Sequence, residues 1–258
     1  MRVALLQTAG TGTVGGNLDL LEAKAAEAAE QGARLLIAPE MFLTGYNIGE
    51  RAWALAEPAN GPAAGRATEI ARRHGLALLY GFPEFRDGAV YNAVLWVDPE
   101  GHRRVYRKAH LFGPDERRLF SPGPEHPPLI RFEGLKIGLL ICYDVEFPEA
   151  VRALAVAGAE LIAVPTALMQ PYGFVADALV PTRAYENGVY LAYVNRAGAE
   201  GDLTYVGRSC LVGPDGRDLA RAPGNAEALL VAEVALQEIA RVREVNPYLH
   251  DLRRDLYE

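Results

Sequence analysis

The sequence predicts an α/β protein, a four-layer α-β-β-α sandwich of two mixed sheets related by internal pseudo-two-fold symmetry. Short apolar runs alternate with amphipathic stretches along the 258 residues, and one succession of segments occurs twice in the same order. Alternation of this kind sets helices against a sheet, and a repeat too long for a solenoid implies two similar halves. Each half would cover one sheet face with helices and bury the other, so that the two bare faces stack.

The first run, residues 2–8, reads as a strand, followed by a helix at 17–31, a strand at 34–39, a helix at 62–74 and strands at 77–82 and 91–97. The second succession opens with a strand at 136–142 and continues with a helix at 148–157, a strand at 160–165, a helix at 175–187 and strands at 189–195 and 209–212. A strand at 228–234 and a helix at 235–243 end it. Four matches tie the two successions together. Residues 2–6 match 136–140, 32–39 match 158–165, 75–80 match 188–193, and the turn Asp98-Pro99-Glu100-Gly101 matches Gly213-Pro214-Asp215-Gly216. A doubly wound sheet with generic apolar strands is the competing architecture. No linker rich in Pro, Gly or Ser divides the chain, so one domain over 1–258 is expected.

Half of the residues are hydrophobic and 23% are charged, and no window approaches the roughly 18 apolar residues of a membrane span. The first residues lack the apolar core and cleavage site of a signal peptide, which makes the cytoplasm the expected location. The net charge of −7 is spread along the chain without a basic, aromatic-interleaved cluster, so nucleic acid is not an expected partner. Cys142 and Cys210 read as free thiols.

Cys142 ends an apolar run and precedes Tyr143-Asp144-Val145-Glu146-Phe147-Pro148-Glu149, where a helix begins. Proline suits a first helical turn, and a thiol between a strand end and a helix start meets unpaired N–H groups that favour thiolate and can hold an oxyanion. Cys210, inside a short strand, reads as core. Glu40 also ends a strand, among apolar neighbours that would raise its pKa toward that of a general base; by the internal repeat it corresponds to Thr166. Lys108 closes the run Val105-Tyr106-Arg107. Only three of the 26 basic residues are lysines, and a compact ammonium fits a narrow pocket as a point charge for an oxyanion. His110 is placed to pack or hydrogen-bond near Lys108; the other histidines sit at helix ends, turns or the tail. No zinc-like Cys/His spacing, phosphate loop or dinucleotide fingerprint occurs, so neither metal nor cofactor is expected.

Three segments, Ala38 to Tyr46, Tyr106 to Phe112 and Ile141 to Glu149, together resemble the nitrilase superfamily of carbon-nitrogen hydrolases, over nearly the whole chain. The resemblance implies the sandwich above and a Glu40-Lys108-Cys142 triad. It also implies a second glutamate after the lysine motif, for which Glu116 is the best match and Asp115 an alternative. Glu40 would take the thiol proton, Lys108 and the Tyr143 N–H would hold the oxyanion, and Glu116 would position the substrate while a thioester forms and is hydrolysed. Phe42 to Gly49, Phe120 to Gly123 and Pro247 to Arg253 are similar to the 5-aminopentanamidase branch, which implies a small amide bearing a terminal amine. Tyr46, Tyr143 and Glu146 are then the substrate-binding candidates, with Glu146, where many relatives carry arginine, as the anion for a cationic substrate.

Competing readings are an N-carbamoyl-amine amidohydrolase, a general aliphatic amidase, a nitrilase, and a catalytically silent binding module. The nitrilase is disfavoured because such chains usually extend further at the C-terminus, and the silent module because the triad is intact. The resemblance further implies a homodimer or higher homo-oligomer, with the tail 246–258 at its interface.

Overall fold

A computed structural model describes residues 1–256. Its first half runs β1 (Arg2–Gln7), α1 (Val14–Glu30), β2 (Ala33–Ile37), α2 (Arg51–Leu55), α3 (Pro62–His74), β3 (Ala77–Arg86), β4 (Ala89–Val97), β5 (Arg103–Arg107) and α4 (Gly113–Leu119). The second runs β6 (Leu129–Phe132), β7 (Leu135–Leu139), α5 (Pro148–Val156), β8 (Leu161–Pro165), α6 (Val180–Asn187), β9 (Tyr190–Val194), β10 (Ala199–Glu200), β11 (Leu203–Thr204), β12 (Cys210–Val212) and β13 (Asp218–Arg221). β14 (Ala228–Glu233), α7 (Leu236–Val245) and α8 (Tyr248–Asp251) follow.

The two sheets carry the orders β14-β1-β2-β3-β4-β5 and β13-β12-β9-β8-β7-β6. In each, three neighbouring strands are parallel, β1-β2-β3 and β7-β8-β9, and antiparallel strands extend both sides. Matching β1, β2, β3, β4 and β5 to β7, β8, β9, β12 and β13 reproduces one sheet order from the other, as the repeated segments predict. The remaining edge strand differs in origin. β6 comes just before β7 in the chain, whereas its counterpart β14 arrives last and pairs antiparallel with β1 from Arg2↔Glu233 to Gln7↔Ala228.

Side chains alternate across each strand. Val3, Leu5, Leu35, Ile37 and Leu79 meet Ile137, Leu139, Leu161 and Ala163 between the sheets. Leu6, Leu36 and Leu78 pack outward on α1 and α3 through Leu21, Ala25 and Ile70; Ile162 and Leu191 pack on α5 and α6 through Val151, Leu154 and Ala184. The layers are therefore helix, sheet, sheet, helix. Leu21, wholly buried, illustrates the energetics: its truncation to alanine would cost about 2–5 kcal/mol.

Several boundaries depart from the sequence reading for local reasons. α1 begins at Val14 because Thr13 accepts from the Gly16 N–H as an N-cap. β3 and β4 form one long hairpin turned by Asp87 and Gly88, both at positive φ, the chemistry of a tight hairpin turn. The helix expected at 175–187 starts as a π turn, Val175–Leu179, before α6. Residues 246–251 fold back on α6, where the Tyr248 and Tyr185 rings lie 5.9 Å apart; positions 257 and 258 of the expected tail lie outside the described residues. Among the described residues no helix is long and apolar enough to cross a membrane.

Candidate active site

Glu40 follows β2 on a segment that keeps β3 as its neighbour: the Gly81 N–H donates to the Pro39 carbonyl at 3.0 Å, and the Leu43 N–H donates to the Gly81 carbonyl at 3.0 Å. Between these bonds the chain bulges, with Met41 at φ 49°, and turns the Glu40 side chain into the interior, where it is fully buried. Lys108 follows β5. Its N–H donates to the Asn92 carbonyl at 2.9 Å and its carbonyl accepts from the Gly123 N–H at 2.8 Å, which leaves the side chain a single direction, also inward. Cys142 follows β7 and opens a 3-10 turn, Cys142–Glu146, at φ 44°. A non-glycine residue in that region is strained and is held there by its surroundings. α5 starts at Pro148, as expected.

The structure brings these side chains together. The Lys108 Nζ donates to Glu40 Oε1 at 2.7 Å and to Glu116 Oε1 at 2.7 Å. Asn92 Nδ2 donates to Glu40 Oε1 at 2.7 Å, and Glu40 Oε2 is buried with no hydrogen-bond partner among the described residues. Glu116, on α4, also accepts from the Tyr46 hydroxyl at 2.8 Å and the Phe112 N–H at 2.7 Å. Asp115, the alternative, is 87% exposed and faces Arg118, so it is not part of the cluster.

Electrostatics follow from the burial. Removal from water raises the Glu40 pKa above its ordinary value, against the Lys108 charge that lowers it. Burial opposes the Lys108 ammonium, but the Glu116 and Glu40 carboxylates outweigh it and hold its pKa well above the ordinary value. The Cys142 thiol is pushed well above its ordinary value by burial and by Glu40, while Lys108 and the Ala167 N–H pull the other way. The sequence reading of a thiolate favoured by backbone N–H groups is corrected here, because desolvation beside a carboxylate outweighs those dipoles. Burial and the neighbouring carboxylate disfavour the thiolate, so a base beside the sulfur assists as it reacts.

Cys142 opens into a cavity of about 240 Å³ lined by Tyr46, Phe112, Tyr143, Glu146, Met169 and Tyr172, among others. Tyr46, Phe112, Met169 and Tyr172 also line an outer chamber of about 450 Å³. The three substrate-binding candidates thus border one space. Burial raises the pKa of Glu146, against Lys108 and Arg183, and its carboxylate makes no ion pair among the described residues. Asp98, Glu100 and His102 bring donor atoms within 4.8 Å of one another on the β4–β5 turn. That turn lies at the far end of β5 from Lys108, roughly 17 Å away by strand rise, so this trio is not part of the cluster.

Sequence reasoning missed Asn92, Asp144 and Gly81. Asn92 was findable as a polar residue within an apolar strand, and Asp144 as an acid directly behind the thiol. Phe112, Met169 and Tyr172 gave no signal, because only the folded packing makes them a wall.

The chain matches the family model described as carbon-nitrogen hydrolase over residues 2–244. It is 49% identical to a "Hydrolase in pqqF 5'region" of Pseudomonas protegens over 100% of this chain and 91% of that one. It is 40% identical to an (R)-stereoselective amidase of a Pseudomonas species over 85% and 79%. Among solved structures it superposes on the amidase of Nesterenkonia sp. AN1 in a mutant complex with acrylamide, at TM-score 0.89 and 38% identity, covering 100% of this chain and 95% of that one. A second mutant of that amidase carries the acetamide moiety of fluoroacetamide at its active-site cysteine, with TM-score 0.88, 39% identity and the same coverage. With the fold, three motifs between Ala38 and Glu149, and a family match over residues 2–244, the chain belongs to the carbon-nitrogen hydrolase family, within the nitrilase superfamily.

Proposed function

We propose that this carbon-nitrogen hydrolase is an amidase that cleaves a small aliphatic amide to a carboxylic acid and ammonia through a thioester on Cys142. The observation that carries this reading is the placement of one buried ammonium between two carboxylates, 2.7 Å from each, close enough to act electrostatically on a thiol that opens into a cavity. The names of the relatives, amidases among them, support it.

Each group then has a task. As Cys142 Sγ attacks the amide carbon, the unpartnered Glu40 Oε2 takes the thiol proton. The carbonyl oxygen becomes an oxyanion, met by the Lys108 ammonium and by the Tyr143 N–H, which lies in the first residues of the short turn that Cys142 opens, where N–H groups lack an acceptor inside the turn. Collapse of this intermediate breaks the carbon–nitrogen bond, and the proton on Glu40 passes to the departing ammonia. Water then attacks the thioester, giving its proton to Glu40; the acid leaves and the sulfur regains a proton. Glu116, bonded to Lys108, Tyr46 and Phe112, fixes the ammonium and the cavity wall against which the substrate lies.

The inner cavity suits a short acyl chain, since drug-sized ligands occupy about 300–1,000 Å³. Glu146 in its wall offers an unpaired anion to an amide with a terminal amine, such as 5-aminopentanamide. Ammonia release from a panel of plain amides, amino-amides, N-carbamoyl amines and nitriles, with Cys142→Ala as control, tests the assignment. Turnover confined to the carbamoyl amines or the nitriles would replace it, and no reaction of Cys142 with any of them would point to a binding module.

A further inference from the structure

Asp144 lies two residues beyond the nucleophile, is wholly buried, and does not line the substrate cavity. Its carboxylate takes four donors. Oδ1 accepts from the His110 N–H at 2.9 Å and from His110 Nδ1 at 2.7 Å, while Oδ2 accepts from the Tyr106 hydroxyl at 2.9 Å and the Ile141 N–H at 3.1 Å. The identity of those donors is the informative part. Tyr106 and His110 stand two residues before and two residues after Lys108; Ile141 immediately precedes Cys142. Lys108 hangs from the first sheet and Cys142 from the second. Among the described residues, every hydrogen bond that joins the two segments passes through this one carboxylate.

We propose that Asp144 is a positioning residue that sets the separation of the Lys108 ammonium from the Cys142 sulfur, and so places the oxyanion pocket that forms between the two sheets. It rests on the amide-hydrolysis reading given above. A charged acceptor with four donors is short, directional and hard to displace without a sheet moving, because any shift of β5 against β7 stretches several charge-assisted bonds at once. The apolar contacts between the sheets have no such directionality. The strained φ of Cys142 has the same origin: Asp144 folds the 3-10 turn back on the N–H of Ile141 and keeps the elbow closed.

Asparagine in place of Asp144 preserves volume but turns an N–H₂ toward one pair of donors, which breaks the bond to the backbone N–H there and forces the side chain beside it to accept instead of donate; the charge is lost as well. The test compares two reactions of the full-length protein. Amide hydrolysis builds charge on the carbonyl oxygen and needs Lys108 in register. Alkylation by iodoacetamide joins sulfur to an sp³ carbon as iodide leaves and the thiol proton passes to Glu40; no oxyanion forms. For Asp144→Asn the expected result is a kcat about 100-fold lower on the amide, with KM within about threefold and the alkylation rate of Cys142 within about threefold of wild type. Tyr106→Phe, which removes a single donor from the Lys108 side, is expected to lower kcat about tenfold with the same split.

Unchanged kcat in Asp144→Asn would overturn the proposal, as would a parallel fall of turnover and alkylation, the mark of a general loss of folded protein. If Asp144→Asn fails to fold, Tyr106→Phe decides by the same criteria. A wild-type protein that is alkylated but hydrolyses no amide would instead sink the amidase reading.

Discussion

The backbone of Glu40 rests directly on Gly81: a Cβ at Gly81 would stand 2.2 Å from the Met41 nitrogen and 2.7 Å from the Glu40 Cα. No side chain fits there, and the contact is backbone on backbone, so it cannot relax by a rotamer change. Gly81→Ala is therefore expected to push the Glu40 bulge outward by about 1 Å and lower kcat about 100-fold, with a stability loss of about 1–3 kcal/mol. Steady-state kinetics beside thermal melts check it; an active Gly81→Ala would show that the bulge has freedom this packing denies.

The ammonium of Lys108 bridges the Glu40 and Glu116 carboxylates. Lys108→Met removes it and leaves two buried acids sharing a site, which forces one of them to hold a proton. Amide turnover is expected to fall at least 100-fold, with destabilisation of about 3–5 kcal/mol by denaturant melts, because a buried charge network has lost its central partner. Lys108→Arg is not expected to rescue activity, since a guanidinium fork does not fit where a single Nζ sits.

Glu40 must be ionised to take a proton, and its pKa is raised by burial above the ordinary 4.5. Activity should therefore fall on the acid side through an apparent pKa above the usual carboxylate range. Asn92 Nδ2 stabilises the charged form, so Asn92→Leu should move that acid limb to still higher pH. The pH dependence of kcat/KM measures both; a limb that shifts downward in Asn92→Leu would remove Glu40 from the role of base.

His110 has a pKa raised above its ordinary 6.5, chiefly by its hydrogen bond to Asp144, with Glu149 adding and burial and Lys108 opposing. Because the folded state holds this proton more tightly than the unfolded chain, the interaction is fully present below pH 6.5 and is lost as pH rises through the raised value. The ring is 38% exposed, so the effect is modest. Melting temperatures of wild type and His110→Gln should differ most at mildly acidic pH and converge at alkaline pH.

Glu146→Gln tests selection by charge. If the carboxylate holds a substrate amine, the ratio of kcat/KM for amino-amides over plain aliphatic amides should drop about tenfold, with little change for the plain amides. An unchanged ratio would assign the carboxylate no part in choosing substrates.

The sandwich was legible because its determinants are local and repeated. Arg2 to Leu6 and Lys136 to Leu140 are apolar runs with the same neighbours, and their equivalence predicted two sheets of one design. Glu40, Lys108 and Cys142 stood out for another reason: each stands just past the end of a strand, where a chemically capable residue invites a role, whereas Glu116, inside α4, was reached only through the family resemblance. What stayed hidden depends on distance in three dimensions. β6 and β13 are short edge strands with half-exposed, mixed residues, which carry little periodic signal. The lengths of β3 and β4 were misjudged although Asp87-Gly88 announced their turn. The upward shift of the thiol pKa went unread because it depends on how completely Cys142 and Glu40 lose contact with water, and neither motif records that.

The pairing of β14 with β1 has a consequence for synthesis. The segment that covers the outer edge of β1 is synthesised more than two hundred residues after it. Until then β1 offers a bare row of amide and carbonyl groups, Leu5 and Leu6 among them, to any extended chain nearby. The nascent protein must therefore shelter this edge until β14 emerges, and a truncation ahead of Ala228 would leave it open for good, a stump prone to self-association even though all the chemistry-bearing side chains were present.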